Sequence, residues 1–121
     1  MTAALTLLAG VLDLSFAVFH VLFWRLFGWP ERLAASGRTN AAITQTLNIM
    51  LTLVFVLYGL KLLHLGWLGQ RADPQLLAAG ILFGLVRSAL QPLLFGLQTG
   101  LSRLFLAVAL GVTAVHAGAM L

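Results

Sequence analysis

The sequence predicts an all-α integral membrane protein, an antiparallel bundle of four transmembrane helices, and three observations carry that prediction. The 121-residue chain is 61% hydrophobic and only 8% charged, against about a quarter charged in a soluble domain. It holds four apolar stretches, each near the roughly 20 residues that cross a hydrocarbon core of about 30 Å at 1.5 Å per residue. The links between them are short, so successive helices run up, down, up and down. The length suits a single transmembrane domain, residues 1–121.

The first span is placed at about 5–27. It lacks a basic leading segment, exceeds the apolar core of a signal peptide and carries Asp13, so it reads as a membrane helix. The aromatic cluster Phe23, Trp24, Phe27 and Trp29, followed by Pro30, predicts an interfacial belt and a stop. Glu31 to Asn40, with Arg32, Gly37 and Arg38, reads as a polar loop. The second span is placed at 41–63, and the link after it is marked by Lys61, His64, Gly66, Trp67, Gly69, Arg71 and Asp73. The third is placed at 75–97 and the fourth at 103–121, joined by the tightest link, Gly96 to Ser102. Small residues four apart, Gly80 with Gly84, Gly96 with Gly100 and Ala107 with Gly111, predict close backbone approach within the bundle or at a homodimer interface.

Charge and composition narrow the function. The net charge of +4 comes from basic residues scattered beside apolar runs, a juxtamembrane pattern that argues against nucleic acid. Arg25, Arg32, Arg38 and Arg103 flank the first and third links, whereas Lys61 and Arg71 lie on the side of the termini. That bias predicts cytoplasmic first and third links. The chain has no cysteine, hence no disulfide or thiolate metal site.

Within the spans a polar layer stands out. Arg87 lies near the middle of the third apolar run, where a guanidinium costs about 3 kcal/mol on insertion scales. Asp13 is about 12 Å down the first helix and Arg87 about 18 Å down the third, a gap an arginine can bridge, which makes Asp13 the expected counter-ion. His116 reads near the depth of Asp13; His20, Asn48 and Gln91 converge deeper, with Thr52 beside Arg87 and Gln45 beyond. Helical spacing supports inward faces: Asp13, Ala17, His20 and Trp24 follow i, i+4, i+7, i+11; Gln45, Asn48 and Thr52 follow i, i+3, i+7; Arg87 and Gln91 are one turn apart. The bland reading is interhelical glue at about 0.6 kcal/mol per hydrogen bond, and it suits the amides and Thr52. Buried Arg87, Asp13 and His20 point instead to a ligand site or a relay. His20, with a reference value of about 6.5, would make such a function depend on pH.

Other chemistries fit less well. His20 and His116 lie at different depths, unlike the paired axial ligands of a haem. One buried carboxylate among amides is a poor metal set. No serine, threonine or carboxylate pair has a recognisable catalytic spacing. No catalytic residue, metal or cofactor is therefore expected, and the chain reads as something other than an enzyme.

The pattern Asn40, Gln45, Asn48 (N-x4-Q-x2-N), with Arg87, Gln91 and Phe95 (R-x3-Q-x3-F) and His20 beside Phe23 and Trp24, resembles a family of small bacterial four-helix inner-membrane proteins. The resemblance covers nearly the whole chain and implies a fold and a bacterial inner membrane, with no activity. Asp13 also occupies a place similar to the acidic residue in the first helix of the small multidrug resistance transporters. The chain departs from these in having aspartate for glutamate, a core arginine and histidines, and no aromatic substrate cage. The expectation is a small transporter or channel-like protein, homo-oligomeric and dimeric, binding or relaying an ion or small polar, anionic solute at Arg87, Asp13, His20, Asn48, Gln91, Gln45 and His116. The alternative is a membrane scaffold in which these residues only lock helices.

Overall fold

A computed structural model describes residues 1–121, and the chain is all-α. The elements are α1 (Thr2–Val21), the short turns α2 (Phe23–Leu26) and α3 (Glu31–Ala34), α4 (Arg38–Trp67), α5 (Pro74–Leu90) with a π-helical turn at Gln91–Phe95, and α6 (Gly100–Met120). Four segments are long and apolar enough to cross a membrane: Thr2–Val21, Arg38–Trp67, Pro74–Phe95 and Gly100–Met120. By length and composition this is a multi-pass membrane protein. Two compact units form, Gly10–Lys61 and Met1–Ala9 with Leu62–Leu121.

In the Gly10–Lys61 unit, α1 stops at Val21, earlier than an unbroken apolar run implies. The Leu22 N–H splits between the Val18 and Phe19 carbonyls, both at 3.1 Å. The aromatic cluster then folds on itself edge to face, with Phe23 4.8 Å from Phe27 and 5.5 Å from Trp29 between ring centroids. Gly28, at φ 62°, turns the chain, and the Trp29 N–H closes on the Trp24 carbonyl at 3.0 Å. That is the six-to-one bond of a Schellman ending, which needs a left-handed residue before it. Within the same unit α1 and α4 run antiparallel, and a methyl at Gly59 would stand 2.9 Å from Leu14 Cγ and 3.0 Å from the Gly10 carbonyl oxygen.

In the second unit, α4 runs beyond residue 63 and ends in another Schellman pattern. Gly69 takes φ 65°, its N–H bonds the Gly66 carbonyl at 3.1 Å, and the Gln70 N–H bonds the Leu65 carbonyl at 2.9 Å. Asp73 caps α5, its carboxylate accepting from the Gln75 N–H at 2.7 Å with Pro74 in the first turn. Thr99 caps α6 by accepting from the Ser102 N–H at 3.1 Å. This cap starts α6 at Gly100, ahead of the expected 103. Helices α5 and α6 pack closely at Gly84, where a methyl would stand 3.1 Å from the Ala109 carbonyl oxygen and from the Thr113 nitrogen. The other two small pairs serve differently. Gly96 is a left-handed turn residue, Gly100 opens α6 with nothing against it, and Gly111 and Ala107 lie exposed.

Candidate functional site at the end of the third span

The polar residues singled out by sequence fall into two groups. In the Gly10–Lys61 unit, Asn48 is buried and clasps His20: its Nδ2 donates to the His20 carbonyl at 2.9 Å, and its Oδ1 accepts from His20 Nδ1 at 2.6 Å. Because the amide nitrogen goes to a carbonyl, Oδ1 must face the ring, so Nδ1 carries the hydrogen. Asn48 thereby satisfies one of the terminal carbonyls that α1 leaves open where it stops. Gln45 is similarly spent, its Oε1 accepting from Trp24 Nε1 at 3.1 Å and its Nε2 donating to the Ala41 carbonyl at 3.2 Å. Thr52 donates back to the Asn48 carbonyl at 2.8 Å. The His20 ring lies 4.6 Å from Phe23 and 5.4 Å from Phe55 between centroids. Asp13, on the same inward stripe as Ala17, is 3% exposed.

The second unit holds Arg87, Gln91 and His116; Asp13 and Arg87 thus fall in different units. His116 is fully buried, and its Nδ1 donates to the Val112 carbonyl at 2.8 Å. Arg87 and Gln91 occupy successive turns at the point where α5 changes its winding. Pro92 has no N–H for the Ser88 carbonyl, so the regular ladder cannot continue, and the chain widens into the π-turn Gln91–Phe95. Gly96, at φ 68° and ψ 179°, ends it in a conformation open to glycine alone.

This local break creates a fixed set of polar groups. Gln91, 2% exposed, donates from Nε2 to Ser102 Oγ at 2.6 Å, and Ser102 Oγ donates to the Gly96 carbonyl. A hydroxyl has one hydrogen and a carbonyl only accepts, so Ser102 must accept from Gln91 and the amide is locked in one orientation. Its Oε1 is buried without a hydrogen-bond partner. Arg87 Nη1 is likewise buried and unpartnered. The Arg87 guanidinium lies toward the end of the span, 5.4 Å from the centroid of the Phe95 ring, a cation–π arrangement that partly offsets its lost hydration.

An unspent charged donor and an unspent acceptor therefore belong to residues one helical turn apart, Arg87 on α5 and Gln91 at the start of the π-turn. Buried polar atoms are nearly always paired, so each of the two calls for a partner. Chemically the pair suits binding rather than bond making, since a guanidinium and an amide supply no nucleophile. Sequence reasoning found Arg87, Gln91 and Phe95 but not Ser102, Gly96 or Pro92. The signals were present: a proline directly after Gln91, and a Thr99-x-x-Ser102 cap spacing opening the next helix. Comparison with known protein families, curated proteins and solved structures finds no match to this chain.

Proposed function

We propose that this multi-pass membrane protein binds a small anionic solute at Arg87 and Gln91 and passes it across the bilayer, acting as a small transporter of a bacterial inner membrane. The observation that carries the reading is the buried, unpartnered Arg87 Nη1. A guanidinium in a membrane span is costly, and one that keeps a donor unspent is poised to spend it on a ligand. Its planar fork suits the two oxygens of a carboxylate or related oxyanion. The bacterial location rests on the resemblance carried by Asn40, Gln45, Asn48, Arg87, Gln91 and Phe95.

The scaffold reading draws its support from the other unit. The His20–Asn48 clasp and the Trp24–Gln45 bond spend their groups on one another, as helix-locking residues do. We therefore assign locking to Gln45 and Asn48 and binding to Arg87 and Gln91. The test is anion flux into liposomes holding wild type or Arg87→Lys. The lysine keeps the charge and loses the fork, so the variant folds while flux drops at least tenfold. Absence of both flux and anion-dependent stabilisation in the wild type would overturn the proposal.

A further inference from the structure

We infer that the anion taken by this site carries its own hydroxyl hydrogen, as hydrogencarbonate and the α-hydroxycarboxylates do. The inference rests on the anion-binding reading above and adds what Gln91 contributes to it. Arg87 Nη1 offers hydrogens, while Gln91 Oε1 offers only lone pairs, and both are buried and unspent. A plain carboxylate or a halide would satisfy Arg87 and still leave Oε1 unpaired, with a second acceptor set against it. Gln91 cannot correct this by turning its amide, because Ser102 holds Nε2 at 2.6 Å and is itself committed to the Gly96 carbonyl. A cation at Oε1 would meet the guanidinium one turn away. Water could pair with both atoms but brings no charge to offset that of Arg87. An oxyanion bearing an O–H meets all three demands, accepting from Arg87, donating to Gln91 and neutralising the site.

Ser102 is then a positioning residue for specificity. A buried acceptor left unpaired weakens binding roughly tenfold, so the selectivity is measurable with ligand pairs that differ by hydroxyl against methyl. Hydrogencarbonate against acetate and glycolate against propionate are such pairs. Isothermal titration would use the full chain in phosphatidylcholine nanodiscs. Wild type should bind each hydroxylated member about tenfold more tightly than its methyl counterpart. Ser102→Ala releases the amide to turn, so the ratio should fall toward one while acetate still binds. Arg87→Gln should lose all four ligands.

The phosphatidylglycerol headgroup presents the same chemistry, an oxyanion with nearby hydroxyls. Repeating the titration in nanodiscs containing that lipid separates the sources: competition assigns the site to the headgroup, and its absence assigns the site to a free solute. Equal binding of acetate and hydrogencarbonate by wild type would overturn the inference and leave the anion reading standing. Binding of neither would remove both. The wild-type ratio decides the matter even if Ser102→Ala does not fold.

Discussion

Asn48 shows how one side chain in a membrane helix can decide where its neighbour ends. Its amide takes the His20 carbonyl and the His20 ring together. Membrane hydrogen bonds average about 0.6 kcal/mol each, but unpaired buried groups cost about 1–3 kcal/mol. Asn48→Leu should therefore destabilise the fold by about 1–3 kcal/mol in reversible unfolding from micelles, and His20→Phe should recover part of that loss when combined with it. Strict additivity in this double-mutant cycle would show that the bond between the Asn48 amide and the His20 ring contributes nothing. The pairing was largely legible beforehand, since His20 and Asn48 stand out as polar residues converging at one level. The bond of Gln91 to Ser102 was not, because it depends on a proline-induced change of winding that carries the chain back over residue 91.

Among the elements, α4 is the best case of a pattern half visible in sequence. Ala41, Gln45, Asn48, Thr52, Phe55, Gly59, Leu62 and Gly66 step by four and three in alternation, the seam of a left-handed packing. The first half is legible because amides and threonine contrast with their apolar neighbours. The second half is not, since in a bilayer the lipid-facing and helix-facing residues are both apolar and only size separates them. Gly59 and Gly66 mark that half. A methyl at Gly66 would stand 2.7 Å from Leu7 Cγ and 2.9 Å from the Leu7 nitrogen, and the Gly10 backbone limits Gly59 in the same way. Overpacking of this kind costs about 1–3 kcal/mol, so Gly59→Ala and Gly66→Ala should each lower the thermal midpoint in micelles. Gly111 has open space around it and an ordinary helical conformation. There alanine should stabilise by about 0.5–1 kcal/mol through helix propensity. A loss at Gly111 equal to that at Gly66 would mean that close approach is not what the glycines provide.

At the scale of the whole molecule, polarity is distributed inside out. Thr6, Asp13, Asn48, Ser88, Gln91, Ser102 and His116 are buried, whereas Val18, Leu47, Leu57, Leu82 and Leu104 each leave more than half their surface uncovered. In water that arrangement would be untenable, and in a bilayer it is the expected one, because hydrocarbon solvates the leucines while helices must pair their own polar groups. Four crossings of a bilayer would put the first and third links on one side and Gln70, in the second link, on the other. Arg25, Arg32, Arg38 and Arg103 outweigh Lys61 and Arg71, so the first and third links should face the cytoplasm. The chain has no cysteine, so single cysteines at Arg38, Gln70 and Arg103 report position without background. An impermeant thiol reagent added to intact bacterial cells should label Gln70→Cys and spare Arg38→Cys and Arg103→Cys until the membrane is opened. Equal labelling of Arg38→Cys and Gln70→Cys from one side would refute four spans. The reverse pattern would keep the spans and invert the orientation, placing the Phe95 end of the third span, and with it the Arg87 guanidinium, toward the outer face.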